Sequence, residues 1–212
     1  LRTGVAYRAN VSASGGDEKT NFFVSGNFLD EESIFVGNEY LRLNARTNLT
    51  HQLNKKVSIG SNMNFSYVNN SPVPVQNGVG KSNTNLPIHP VYKEDGTYFN
   101  VLRNSRAGID LFTTNKKNRS FIASWYIRYQ IANGLDFRTE YGLNSISSNQ
   151  KAYSDGRLRE SGEAQASSSA SVRNSWNWKN LLNYRKRLGN HNFDVLAGVE
   201  ASKSKFHINN MK

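Results

Sequence analysis

Apolar and polar residues alternate over long stretches of the chain, and the pattern recurs from one end to the other. One face of an extended segment at residues 40–52 would carry Leu41, Leu43, Ala45, Thr47 and Leu49. The other face would carry Arg42, Asn44, Arg46, Asn48 and Thr50. Successive side chains of a strand point to opposite sides, so each such segment has one apolar and one polar face. Strands of about 9–11 residues with lipid on one side and water on the other build transmembrane β-barrels.

The period of two and the turn residues together predict eight strands joined by alternating short and long connections. The strands are predicted at residues 5–14, 21–30, 40–52, 57–68, 120–131, 135–147, 170–184 and 191–206. The long connections are residues 31–39, 69–119 and 148–169. Outer-membrane barrels have short periplasmic turns and long extracellular loops. The chain is therefore predicted to be all-β, an antiparallel transmembrane barrel wall whose long connections lie outside the cell.

Tryptophan and tyrosine residues fall on the apolar faces of the predicted strands. Trp125 and Tyr129 share such a face, and Trp176, Trp178 and Tyr184 share another. These rings are favoured at membrane interfaces, because one part is apolar and the other can hydrogen-bond with water. The same rings could instead fill the core of a soluble β-sandwich, but a sandwich would have shorter strands and narrower polar faces.

The connection at residues 69–119 is predicted to be a structured loop, because it contains all four prolines of the chain and an Asp95-Gly96 turn. Loops of this length are usually functional or disordered. We expect Tyr92, Tyr98 and Phe99 to make extracellular contacts with a substrate or partner. A Ser/Ala-rich segment at residues 161–171 is predicted to be a mobile loop.

Composition narrows the class of protein. The mean hydropathy is −0.65 and no apolar run is long enough for a membrane helix, but a barrel needs only alternate apolar residues. The formal net charge of +11 is spread over turns and polar strand faces, which argues against nucleic-acid binding. There is no cysteine, which suits an exported bacterial chain. Because the chain begins at Leu1, with no Met and no signal peptide, we expect it to be an internal piece of a longer protein.

No group of residues predicts an enzyme, a cofactor or a metal site. Residues 78–82, GVGKS, imitate the end of a phosphate-binding loop, but Val75 replaces its first glycine and the flanking strand and helix are missing. The four histidines lack metal-ligand spacing, and the acidic residues 30–32 fit a loop tip. What remains is a polar face that we expect to line the lumen of the barrel. Its predicted members are Arg42, Asn44, Arg46, Asn48, Asn62, Asn64, Arg128, Gln130, Arg138 and Glu140.

Several segments resemble one family of outer-membrane proteins. Residues 14–25 read SGGDEKTNFFVS, residues 28–30 FLD, and residues 42–49 RLNARTNL. HPVY at 89–92, LNY at 182–184 and LAGVE at 196–200 follow in the same order. Together they resemble the SusC/RagA family of TonB-dependent outer-membrane transporters. Ser33 departs from the family pattern, which usually has glycine there.

The resemblance implies that residues 1–212 are part of one barrel domain and that the complete barrel has 22 strands. The plug domain and the signal peptide would lie outside this chain. It further implies import of oligosaccharides or peptides across the outer membrane of a Gram-negative bacterium. The implied partners are a SusD-like surface lipoprotein, TonB acting through the plug, the glycan or peptide substrate, and outer-membrane lipid. Two alternatives stay open, namely a porin or adhesin barrel without energy coupling and a soluble carbohydrate-binding β-sandwich.

Overall fold

The computed structural model describes residues 2–72 and 88–212, and within them one antiparallel sheet of eight strands. The strands are β1 (Val5–Gly16), β2 (Thr20–Glu32), β3 (Glu39–Gln52), β4 (Val57–Asn70), β5 (Phe112–Ala132), β6 (Leu135–Ser154), β7 (Gln165–Leu188) and β8 (His191–Met211). Each strand pairs with its neighbour in sequence, and the order in the sheet is β1 to β8. The predicted antiparallel section of a larger barrel is confirmed: the described strands form an open wall.

The short turns are formed by residues suited to them. The Asp17 carboxylate accepts hydrogen bonds from the backbone N–H groups of Thr20 (2.6 Å) and Lys19 (2.8 Å), and these bonds lower the pKa of Asp17. Gly134 and Gly189 have φ angles of +79° and +58° in the β5–β6 and β7–β8 turns. This left-handed region favours glycine, so both turns close tightly.

The sheet is a single layer with almost no core. Among the described residues, the buried apolar side chains are Leu29, Ala107 and Ala123. Trp178 is 49% exposed and Val199 is 66% exposed. A soluble sandwich would cover one face of this sheet with a second sheet. The described residues contain no such second sheet, so the apolar face of this wall is left uncovered within them.

The apolar band runs diagonally across the strands. It is centred near Ala45 on β3 and near Ala197 on β8. The residues that lie directly opposite one another from strand to strand, however, lead from Ala45 on β3 to Lys205 on β8 and not to Ala197. With a rise of about 3.3 Å per residue and a strand spacing of about 4.8 Å, this offset corresponds to a strand tilt of roughly 45–50°. Barrel strands tilt by about 35–45°, so the band lies close to the plane that a membrane requires.

The described part of the longest connection folds into a small unit beside β5. Tyr92 and Tyr98 form an isolated β-bridge, and a short helix, α1 (Ser105–Asp110), follows. The side chain of Asn104 caps α1 and also donates to the Val91 carbonyl oxygen at 2.6 Å. The described part of the loop is structured as expected, although its helix was not predicted. The GVGKS segment at residues 78–82 lies outside the described residues.

The strands are longer than predicted at their long-loop ends. β5 begins at Phe112, where the prediction began at residue 120, and β7 begins at Gln165, inside the predicted loop at residues 161–171. That loop prediction is wrong from residue 165 onward. Beyond the membrane both faces of a strand meet water, so the alternation disappears while the backbone pairing continues.

Candidate functional site: the polar face of the wall

The residues predicted to line a lumen share one face of the sheet. Directly opposite residues of an antiparallel pair lie on the same face. Arg46 is opposite Asn64 and Asn48 is opposite Asn62, while Arg128 on β5 is opposite Arg138 on β6. The register places all ten of the predicted residues on this side. Whether this side lines a lumen and binds a substrate stays a prediction.

Ion pairs connect the polar side chains near the short turns of β5 and β6. Arg128 binds Asp136 at 2.8 Å and Arg138 binds Glu140 at 2.7 Å. Both carboxylates are less exposed than their arginine partners. Exposed pairs of this kind contribute only about 0–1 kcal/mol each. The Arg128 pair joins β5 to β6, and the Arg138 pair lies along β6.

Tyr126 lies flat across this face of the sheet. A Cβ atom added to Gly60 would collide with the Tyr126 ring, so the absence of a side chain at Gly60 lets the ring cross β4. The Tyr126 hydroxyl reaches Thr50 Oγ1 on β3 at 3.3 Å. The Arg138 guanidinium stands 4.1 Å from the ring centroid, a favourable cation–π distance. Arg138 thus stands over the Tyr126 ring on the polar face.

The sequence prediction missed members of this face on β7 and β8. Lys179 stands 3.8 Å from Glu200, and Asn177 donates to the same carboxylate at 3.4 Å. The alternation on residues 170–184 could have identified Asn177 and Lys179, because both fall opposite the tryptophan face. Tyr126 was missed because an aromatic residue resembles a lipid-facing one in sequence.

A shallow groove of about 380 Å³ crosses the polar face between β5 and β8. Small polar residues line it, including Ser124, Gly142, Asn144, Asn177 and Ser202. Gly142 is required at the close approach of Asn177, whose side chain occupies the space of a Cβ. Hydroxyl and amide groups of this kind can donate to and accept from a neutral polar ligand.

The three predicted loop residues come together in the unit beside β5. The Tyr92 and Tyr98 rings are 5.3 Å apart, and the Phe99 ring is 5.4 Å from that of His89. The Tyr98 hydroxyl donates to Asp110 at 2.8 Å, and this bond raises the pKa of Tyr98. Tyr98 therefore anchors the loop. Tyr92 is 46% exposed, so its ring is accessible to a ligand.

Residues 2–72 and 88–212 lack two features that are typical of other protein classes. No three His, Cys, Asp or Glu side chains there form a group that could hold a metal ion. No helix within the same ranges has the length and apolar character that a membrane crossing requires.

Curated relatives of the chain are receptors of one kind, although no model of a protein family matches it. TonB-dependent receptor P26 of Formosa agariphila is 27% identical over 209 residues, which cover 93% of this chain and 21% of that protein. TonB-dependent receptor P3 of the same bacterium is 22% identical over 217 residues, which cover 95% and 22%. The chain thus spans about a fifth of the length of the curated relatives it matches.

Solved structures share the fold. The RagAB peptide transporter superposes with a TM-score of 0.77 at 13% identity, covering 97% of this chain and 25% of that one. The pyoverdine outer membrane receptor FpvA from Pseudomonas aeruginosa superposes with a TM-score of 0.61 at 12% identity, covering 97% and 29%.

The described strands are a section of an outer-membrane β-barrel. More specifically, the chain is similar to a section of the TonB-dependent receptors, which are proteins of the outer membrane of Gram-negative bacteria. The resemblance found in the sequence is confirmed at this level.

Proposed function

We propose that this chain forms adjoining strands in the barrel of a SusC/RagA-type importer of oligosaccharides or peptides. The observation that carries the proposal is the single-layer sheet, with an apolar band on one face and hydrogen-bonding groups on the other. The higher TM-score with the RagAB peptide transporter than with FpvA supports the SusC/RagA type. The curated relatives are receptors rather than enzymes, which agrees with a non-catalytic role.

In this proposal residues 1–212 belong to one barrel domain, and their polar face lines the lumen. The groove offers amide and hydroxyl groups, and the Arg138 guanidinium over the Tyr126 ring offers hydrogen-bond donors. Sugar hydroxyls and peptide amides could both bind to such groups. Tyr92, Tyr98 and Phe99 belong to the extracellular loop that meets the ligand or a SusD-like surface lipoprotein. TonB would act on the plug, which lies outside this chain.

Uptake by cells that carry the full-length receptor tests the proposal. Labelled peptides and labelled oligosaccharides are offered to a receptor-deletion strain complemented with the full-length gene. We expect uptake of one class, and its loss when TonB is deleted. Uptake that persists without TonB would instead favour an uncoupled porin, and uptake of neither class would contradict the importer.

A paired variant tests the polar face separately. Asn62→Leu with Asn177→Leu removes hydrogen-bonding groups from this face while keeping side-chain volume similar. We expect uptake to fall by about tenfold, because one or two hydrogen bonds to the substrate are lost. Assembly of the receptor should be unchanged. The control is Asn10→Leu with Asn192→Leu, which changes the same residue type on the same face at the outermost strands. Equal uptake by the two variants would contradict a role of the central polar face.

A further inference from the structure

Charge is divided between the two faces of β5 to β8. Every carboxylate in these strands lies on the polar face, namely Asp136, Glu140, Asp194 and Glu200. The apolar, outward face carries cations instead, and no carboxylate occurs among its strand residues. The outward lysines and arginine near the long-loop ends are Lys117, Arg119, Lys151, Lys203 and Lys205. We call the four at Lys117, Arg119, Lys203 and Lys205 the outer basic rim.

The rim begins where the apolar band ends. On β5 the last outward apolar residue is Phe121, and Arg119 is the next outward residue toward the long loop. On β8 the corresponding step is from Ala201 to Lys203. Lys117 and Lys205 lie one outward position further along their strands. The four cations therefore stand directly above the hydrocarbon boundary, on the side of the long loops.

Polar side chains lie between the cations on β6 and β7. Ser145 is opposite Asn174 on the outward face, and its hydroxyl donates to the Asn174 side-chain oxygen at 2.7 Å. The strands β5 and β8 are about 14 Å apart, which is three strand spacings. Long lysine and arginine side chains from both strands can converge on a ligand that sits over this polar floor.

Ion pairs within the described residues do not neutralise the rim. The ion pairs of β5 to β8 join polar-face groups such as Arg128 with Asp136 and Lys179 with Glu200. On the rim, the Arg119 guanidinium lies 5.9 Å from the centroid of the Tyr67 ring, at the upper edge of the apolar band. That ring holds Arg119 at the boundary without cancelling its charge.

We propose that the outer basic rim binds the phosphate groups of the glycolipid that forms the outer leaflet of this membrane. The acyl chains of that lipid would cover the apolar band, and its phosphates would then stand at the level of the rim. Cation clusters next to a membrane-spanning segment attract anionic lipid headgroups. The proposal depends on the direction of the strands and not on what the receptor imports.

Lipid binding by the purified full-length receptor tests the rim. The probes are bisphosphorylated lipid A and its dephosphorylated form, titrated into neutral detergent and followed by native mass spectrometry. The rim variant is Lys117→Gln, Arg119→Gln, Lys203→Gln and Lys205→Gln. The control variant is Lys19→Gln, Lys55→Gln, Lys56→Gln and Lys186→Gln, which removes the same charge at the short-turn end. Heat-modifiability confirms that each variant is assembled.

We expect the natural receptor and the control to bind phosphorylated lipid A at least about tenfold more tightly than the dephosphorylated form, and the rim variant to lose that preference. The proposal is overturned if the natural receptor binds the two forms of lipid A equally tightly, and this outcome can be seen without any variant. The proposal also fails if the control variant loses as much of its preference for phosphorylated lipid A as the rim variant does. Equal competition by a soluble acidic oligosaccharide would assign the rim to a soluble ligand rather than to lipid.

Discussion

Leu43 and Asn44 are neighbours in sequence that meet different solvents. Leu43 lies opposite Tyr67 and Phe28 on the apolar face, whereas Asn44 lies opposite Ser66 and Asn27 on the polar face. Since the side-chain period of a strand is two, a single step along the chain exchanges lipid for water. At the scale of residues, function therefore depends on which face a side chain occupies.

Arginine substitutions at these two positions should have different costs. We expect Leu43→Arg to destabilise the assembled barrel by about 2–4 kcal/mol and Asn44→Arg to cost little, because only Leu43→Arg places a cation in hydrocarbon. The measurement is the denaturant midpoint of the refolded full-length receptor in lipid vesicles. Equal losses for the two variants would show that the faces are assigned wrongly.

Alanine at two turn glycines should separate backbone strain from collision. Gly189 has a φ of +58° and open space around it, so Gly189→Ala should cost only the left-handed strain of about 1–2 kcal/mol. Gly134 has a φ of +79°, and an added Cβ would also collide with the Arg185 carbonyl. Gly134→Ala should therefore cost more in the same unfolding experiment. A smaller loss for Gly134→Ala than for Gly189→Ala would contradict the close approach of Arg185 to Gly134.

At the scale of elements, strand centres could be predicted from the sequence and strand ends could not. β3 follows its predicted range within one residue, because one face of this strand meets lipid and the other meets water along its length, and its residues alternate accordingly. The Ser/Ala-rich start of β7 offers no alternation, yet it pairs with the end of β6. That pairing is a contact between segments distant in sequence, which the local pattern cannot report.

The β6–β7 connection should respond to acid through Asp155. Its carboxylate accepts from the Arg157 side chain at 3.0 Å and from the Arg157 backbone N–H at 2.9 Å. The side-chain bond is the first cause that lowers the pKa of Asp155 from 3.8 to about 2. Because the pKa is lowered on folding, the stabilisation is complete above about pH 4 and is lost as the pH falls toward 2.

Pepsin cleavage next to Leu158 measures this loss. We expect slow cleavage at pH 4 and faster cleavage at pH 2, relative to a reference site elsewhere in the chain. Asp155→Asn keeps an acceptor oxygen but has no carboxylate to titrate, so its relative cleavage should not change over the same range. A natural chain and an Asp155→Asn variant with the same pH profile would contradict the role of Asp155.

At the scale of the whole molecule, the sequence predicted which face each candidate residue occupies but not its partners. Arg128 and Arg138 could be placed on the polar face by counting residues. The pairing of Arg128 with Asp136 and the stacking of Arg138 on Tyr126 depend on the register between β5 and β6, whereas the partner of Arg138, Glu140, lies two residues further along the same strand. The groove depends on β5 to β8 together, so no single segment indicates it.

The isolated chain should be insoluble without detergent and should transport nothing. Its described wall leaves the outer edges of β1 and β8 unpaired and its apolar face uncovered. Unpaired edges invite aggregation in water and are costly in lipid. Sedimentation after expression without detergent checks this outcome. A soluble, monomeric and cooperatively folding product would contradict the barrel-wall fold.

The central claim is that one face of this wall meets lipid and the other meets water. Because these 212 residues contain no cysteine, spin labels can be placed one at a time at residues 41–49 of β3 and 193–205 of β8, in a full-length receptor in membranes whose cysteines outside this chain, where present, are replaced. Collision with oxygen reports lipid, and collision with a water-soluble nickel chelate reports water. We predict that odd positions on both strands favour oxygen and even positions favour nickel, with nickel taking over at Lys203 and Lys205. Equal exposure of odd and even positions to the two reagents would contradict the account.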